Sequence, residues 1–195
     1  MTTVGLVLAA GAGRRMGGPK ALVRLSDGGP TLVETAVARV LAGGCDTAVV
    51  VVGAAGDAVA DRVEGVDVVH AQDWDEGMGA SLRAGLTHLE PGGADIALVT
   101  LVDLPDVTAE VVARVVTSAG PDGRAALVRA AYGGVPGHPV AIGREHWAAV
   151  ISSAHGDRGA RDHLRATPHR LVECGDLATG RDVDTAGDID DLRRG

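Results

Sequence analysis

The sequence predicts an α/β fold built on a mostly parallel sheet. Two observations carry that expectation: β-branched apolar runs alternate with helical patterns, and two of the runs are apolar at consecutive positions, as strands covered by helices on both faces must be. At 195 residues the chain fits one domain, expected to span 1–195, with enough length for a substantial core.

Each element has a local reason. The run VGLVL at 4–8 reads as the first strand, and a glycine-rich stretch follows it directly. Residues 31–41 read as a helix because Thr31 is followed three positions later by Glu34, the spacing of a capping box. Strands are expected at 48–52 and 66–70, separated by a helix at 57–63. A helix at 79–89 places Leu82 and Leu86 on one core-facing stripe, since residues four apart share a helix face. A strand at 96–102 and a helix at 108–118 come next, then strands at 125–130 and 139–142 and helices at 145–152 and 157–166, the last with Asp157 as its expected cap. The segments 47–53 (TAVVVVG) and 95–103 (DIALVTLVD) supply the consecutive apolar positions and are expected to be central strands. Glycine pairs at 28–29, 43–44, 92–93 and 133–134 read as turns.

Composition narrows the partners. Phe is absent and the aromatics are Trp74, Trp147 and Tyr132, too few for stacking along nucleic acid. A formal net charge of −8 argues against polyanion binding over the whole surface and leaves room for a small anion in a local basic pocket. Cys45 and Cys174 lack CxxC spacing and read as small core residues. The seven histidines lack metal-ligand spacing, so zinc is not indicated. Neither a signal peptide nor an apolar run of about 20 residues is found, which leads us to expect a soluble, cytoplasmic chain without a membrane partner.

The stretch LAAGAGRRMGGPK, 8–20, joins four glycines to Arg14, Arg15 and Lys20. Glycines expose backbone N–H groups without a Cβ in the way, and the three cations supply full charge, so the stretch suits a triphosphate. Two familiar phosphate loops fail. The Walker pattern requires GK followed by Ser or Thr, whereas Gly18 is followed by Pro19, Lys20 and Ala21. The dinucleotide pattern GxGxxG meets Met16 at its third glycine, and the second strand ends at Val52–Gly53 without the acid that binds ribose.

The pattern LAAGxGxRMGxPK, filled by Leu8, Ala9, Ala10, Gly11, Gly13, Arg15, Met16, Gly17, Pro19 and Lys20, resembles the signature of the MobA-like nucleotidyltransferases. GMGASLRAGL at 77–86, TLVDLPDV at 100–107, GHP at 137–139, GDRGARDHL at 156–164 and DVDTAGDIDDL at 182–192 extend the resemblance, and it is greatest to the molybdenum cofactor cytidylyltransferase branch, the MocA-like group. The resemblance implies a single-domain, Rossmann-like three-layer sandwich of the nucleotide-diphospho-sugar transferase, or GT-A-like, type. It implies a nucleotide site at Leu8, Ala9, Ala10, Gly11, Gly13, Arg15, Lys20 and Ser81, with Arg15 and Lys20 on the phosphates and Arg14 at a variable position without a role.

Transfer of a nucleotidyl group joins two anions, so catalysis is mostly positioning and charge neutralisation and needs a hard cation. Magnesium takes one or two carboxylates together with phosphate oxygens and water. Asp103, which ends an otherwise apolar strand, is the first expected ligand, because an ionised Asp there requires a partner. By the resemblance Asp184 is the second, while 188–191 read as a solvated, capped helix start. The catalytic set is thus Arg15, Lys20 and Asp103, the metal is Mg²⁺ with Mn²⁺ as its substitute, and Arg83, His138, Arg158 and Arg161 are candidates for acceptor binding. Trp74 reads equally as a half-buried wedge or a ligand contact.

The expected reaction moves CMP from CTP to the phosphate of molybdopterin, releasing pyrophosphate, with a molybdenum hydroxylase as eventual recipient. Ala10, where guanylyl-transferring relatives usually have Gly, favours cytosine. One alternative is the same loop serving a sugar phosphate or methylerythritol phosphate. Another is a non-catalytic chaperone for the cofactor, against which the joint presence of Lys20, Asp103 and Asp184 argues.

Overall fold

The computed structural model describes residues 1–185 and 187–189; Asp190 and Asp191, read above as part of a helix start, and Leu192 of the last motif lie outside the described residues. In chain order the elements are β1 (Thr3–Leu8), α1 (Leu32–Ala42), β2 (Thr47–Val52), α2 (Gly56–Ala60), β3 (Asp67–His70), α3 (Met78–Leu89), β4 (Ile96–Leu101), α4 (Ala109–Ala119), β5 (Leu127–Tyr132), β6 (Val135–Gly143), α5 (Trp147–Ser153), α6 (Arg161–Ala166) and β7 (Arg170–Glu173). The strands form one seven-stranded sheet in the order β3-β2-β1-β4-β6-β5-β7. β6 runs antiparallel to β4 and β5, and the remaining described pairings are parallel.

Alternate side chains of a strand point to opposite faces, so a strand covered on both sides is apolar throughout. In β1, Val7 joins a core that holds Val33, Val37 and Val40 of α1 and Val111, Val112 and Val115 of α4. Leu6 and Leu8 join the opposite core with Leu82 and Leu86 of α3, Trp147 and Val150 of α5 and Leu164 of α6. The result is the expected three-layer sandwich. β2 and β4 each have strand neighbours on both sides, as their uninterrupted apolar runs predict. Cys45 and Cys174 are buried free thiols. Among the described residues no helix is long and apolar enough to cross a membrane.

The capping box forms as predicted. Glu34 N–H donates to Thr31 Oγ1 at 3.4 Å, and Thr31 N–H donates to Glu34 Oε2 at 2.7 Å. Replacing Thr31 with Ala removes a cap from the helix that covers β1 and β2, with an expected cost of about 1 kcal/mol, readable as a lower urea midpoint at unchanged slope.

Three expectations need correction. β7 was not anticipated, because RLVE offers two apolar residues between charges and becomes a strand through pairing with β5. The expected helix at 157–166 is broken: a 3₁₀ turn covers Gly156–Arg158, Gly159 takes φ 51° and ψ −128°, and α6 begins only at Arg161 with Ala160 at its cap position. Asp157 therefore caps nothing there. The strands placed at 125–130 and 139–142 are the longer hairpin β5–β6, closed at Gly133 and Gly134, whose φ values of 58° and 80° suit a two-residue turn.

Candidate functional site

The chain runs β1 to β2 to β3 on one side of β1, then returns to place β4 on the other. The carboxyl ends of β1 and β4 therefore border a topological switch point, where open α/β sheets take their ligands. Two of the loops singled out in the sequence, after β1 and after β4, meet there.

The loop after β1 is tied to the end of β2, with Ala9 N–H donating to Val51 O at 2.8 Å and Ala54 N–H donating to Ala10 O at 3.0 Å. It then turns through Gly13, at φ 57°, into a 3₁₀ turn over Arg14–Met16 and leaves through Gly17, at φ 78°. A Cβ on Gly13 would stand 1.9 Å from Gly18 O, so only glycine lets the loop fold on itself at this point. The loop borders a cleft of about 390 Å³ that Leu8, Ala10, Gly11, Gly13, Arg14 and Lys20 line on one side. Trp74, Asp75, Met78, Ser81, Asp103 and Asp157 complete it. Of the expected nucleotide residues, Ala9 is buried in the core instead, and Arg15 faces a shallower groove of about 250 Å³ together with Arg14, Lys20 and Asp184. Arg14, to which the motif gave no role, lines both.

Lys20 is the centre of the arrangement. Its ammonium donates to Asp103 Oδ2 at 2.7 Å and to Asp184 Oδ1 at 2.6 Å. Burial disfavours the Lys20 charge, but the hydrogen bonds and charges of the two aspartates outweigh it and hold the amine above the ordinary lysine value. Val183 N–H donates to Asp103 O at 3.0 Å, which carries the C-terminal segment across the end of β4 and sets Asp184 beside Asp103. Asp103 and Asp184, 83 and 164 positions from Lys20 in sequence, thus share its ammonium.

Asp103 Oδ1 is buried and has no hydrogen-bond partner among the described residues. An orphaned carboxylate oxygen is costly in a protein interior, and a cation bound beside it would satisfy it. Two carboxylates beside a glycine-rich loop are a donor set that a hard dication takes when substrate oxygens and water fill its remaining positions. Among the described residues no group of three or more His, Cys, Asp or Glu could hold a metal by itself, so water or substrate phosphate would complete the set.

A second cleft of about 80 Å³ adjoins the first, sharing Leu8, Met78 and Asp157. Arg129, His138, Arg158 and Arg161 line it. Burial, and then the nearby Arg129 charge, push His138 down to about 4, so its imidazole is neutral at pH 7. Arg129 is fixed by donating from Nε to Gly137 O at 2.8 Å. Arg83 is not brought to either cleft: it donates to Ala154 O at 2.6 Å and to Glu76 Oε2 at 2.9 Å, tying α3 to its neighbours. Sequence reasoning missed Arg129 and the placement of Asp157. An arginine inside the apolar run LVRAA was a visible signal for the first; for the second there was none, because it depends on how the 156–158 turn folds back against Gly77.

Trp74 packs over Gly53. A Cβ on that glycine would lie 2.4 Å from Trp74 Cγ and 2.9 Å from Ala10 Cβ, so the indole and Ala10 together fill this wall of the cleft.

The family model described as the MobA-like NTP transferase domain matches residues 5–172. The chain belongs to this family. Its relatives among well-described proteins include a nicotine blue oxidoreductase of Paenarthrobacter nicotinovorans, 42% identical with 93% of this chain and 91% of the relative covered. A molybdenum cofactor guanylyltransferase of Rhodobacter capsulatus is 33% identical over 77% of this chain and 68% of the relative. Among solved structures, Rv0371c of Mycobacterium tuberculosis superposes with a TM-score of 0.81 at 29% identity, covering 100% of this chain and 98% of its own, and a manganese complex of Rv0371c scores 0.78. This MobA-like NTP transferase is therefore a nucleotidyltransferase by family, with Lys20 between Asp103, on the main cleft, and Asp184, on the shallower groove beside it.

Proposed function

We propose that this chain transfers CMP from CTP to the phosphate of molybdopterin, or of its molybdenum-bearing form, and releases pyrophosphate. An oxygen of the acceptor phosphate bonds to the α-phosphorus while the bond from that phosphorus to the bridging oxygen of pyrophosphate breaks. The observation that carries the reading is the Lys20 ammonium between Asp103 and Asp184 at the lip of the glycine-rich loop.

The loop presents backbone N–H groups to the phosphates, with Lys20, Arg14 and Arg15 as countercharges at its edge. Asp103 and Asp184 would hold Mg²⁺, or Mn²⁺ in its place, and that ion would neutralise charge on the reacting phosphates. A manganese complex of a relative supports a dication without identifying it. Ser81, buried in the first turn of α3, and Leu8, Ala10 and Gly11 border the nucleoside part of the cleft. Filling of the wall by Ala10 and Trp74 over Gly53 favours a pyrimidine over a purine. His138, Arg158 and Arg161, joined by Arg129, would receive the anionic acceptor in the second cleft, with the neutral imidazole as a hydrogen-bonding group.

The reading takes residues 1–195 as one catalytic domain, since Asp184 lies beyond the stretch matched by the family model yet reaches Lys20. It places the reaction in the cytoplasm, where nucleoside triphosphates are supplied, with a molybdenum hydroxylase as recipient of the product.

A specific observation favours a second reading: the relative with 42% identity is named as an oxidoreductase. Hydride transfer, however, gives Asp103 and Asp184 nothing to do, whereas phosphate chemistry uses both. Pyrophosphate release from CTP, GTP and ATP, each with Mg²⁺ and molybdopterin, separates the possibilities. Release from CTP alone is expected. Release from GTP alone would overturn the base assignment, release only with a sugar phosphate or methylerythritol phosphate would overturn the acceptor, and reduction of nicotine blue by an added electron donor without pyrophosphate from any nucleotide would replace the reading with the oxidoreductase.

A further inference from the structure

Asp184 has no strand or long helix to hold it. It lies in the segment after β7, with half of its side chain open to solvent, and its carboxylate must nevertheless reach Lys20. Backbone contacts hold the segment first at Thr179, whose N–H donates to Asp106 Oδ2 at 2.7 Å, and then at Val183 on Asp103 O. Beyond Val183, among the described residues, the backbone on either side of Asp184 is held by the Asp188 side chain. Asp188 Oδ2 accepts from Asp184 N–H at 3.1 Å, from Thr185 N–H at 2.8 Å and from Thr185 Oγ1 at 2.8 Å. In return Asp188 N–H donates to Thr185 Oγ1 at 3.3 Å, and Asp188 Oδ1 stands 3.6 Å from Arg181 Nη2. Ile189, next in sequence, is buried in the core beside α1 and α4, so this anchor is itself fixed.

The sequence pattern reads Asp188 as a solvated cap. The reciprocal bonds with Thr185 are those of a capped helix start, and the bond from Asp184 N–H gives the same carboxylate a second task. A carboxylate that accepts three donors from two consecutive residues fixes the peptide plane before Asp184 and the one after it, and with them the direction of the Asp184 side chain. We infer that Asp188 is a positioning residue for the dication site: it orients Asp184 toward Lys20 and Asp103 and touches neither metal nor substrate itself. The inference rests on the proposed role of Asp103 and Asp184 in holding the dication.

The test is a Mn²⁺ titration of the full chain without nucleotide, following free Mn²⁺ by its paramagnetic resonance signal, with thermal melting as the check on folding. Asp188→Ala is expected to weaken Mn²⁺ about tenfold, the range in which outer-shell partners of metal ligands act, and to raise the metal concentration for half-maximal turnover while leaving kcat at saturating metal near wild type. Asp188→Asn keeps an oxygen able to accept the same donors and is expected to bind Mn²⁺ within about twofold of wild type. Asp184→Ala serves as the reference for losing the ligand. If Asp184→Ala loses Mn²⁺ affinity while Asp188→Ala keeps it, the positioning role is overturned and the metal site stands. If Asp188→Asn is as weak as Asp188→Ala, charge rather than orientation is the cause, and the inference fails in that form. If Asp184→Ala and Asp103→Ala both bind Mn²⁺ like wild type, the metal assignment and the role of Asp188 fall together.

Discussion

Asp103→Ala is expected to leave the protein folded and to lower nucleotidyl transfer at least about a thousandfold. A bound dication contributes several kcal/mol of charge stabilisation in the transition state, and each 1.4 kcal/mol is worth about tenfold in rate. The stability side is separable on geometric grounds. Lys20 now balances two aspartates, so removing Asp103 leaves the neutral pair Lys20–Asp184 and eliminates a buried oxygen that lacks a partner. The unfolding free energy from urea titration should therefore stay within about 1 kcal/mol of wild type while pyrophosphate release falls by that factor. Turnover within tenfold of wild type would remove Asp103 from the catalytic site.

Lys20→Met is expected to give the opposite balance of effects. Without the ammonium, the Asp103 and Asp184 oxygens that it bridged face each other uncompensated, at a separation no larger than its two contacts combined. Removing one member of a partly buried charge cluster leaves the others unpaired and destabilising. The variant should melt lower than wild type at neutral pH. It should also gain more thermal stability from added Mn²⁺ than wild type does, since the ammonium no longer competes for the same oxygens. Turnover should fall by about 10²–10³, the usual loss when one fixed countercharge to a developing anion is removed. Equal Mn²⁺ stabilisation of the two proteins would mean that the aspartates hold no metal, whatever the kinetics show.

Much of the fold is legible in the chain because its signals are local. Uninterrupted Val-rich runs mark strands covered on both faces, and Thr31 with Glu34 marks a helix start to within a residue. Where a boundary depends on a partner, the reading slips. β7 exists because β5 offers it an edge, and the helix expected at 157–166 breaks at Gly159 because that turn is pressed against α3. The site divides in the same way. Lys20 and Asp103 stand out by motif and by an acid closing an apolar strand, but Arg83 does not, since a helix position that looks free in sequence is taken by Ala154 O and Glu76.

By itself the sequence determined a three-layer α/β protein with a glycine-rich loop after its first strand and an acid after its fourth. Each of those features is set by residues within a few positions of one another, through propensity, capping and periodicity. Only the tertiary structure decided that Lys20 bridges Asp103 and Asp184, that Arg14 faces the cleft, that Asp157 borders both clefts and that Asp188 accepts from the Asp184 N–H. Those contacts join segments far apart in the chain, and their geometry is fixed by how strand ends and the C-terminal segment converge at the switch point, which no local pattern encodes.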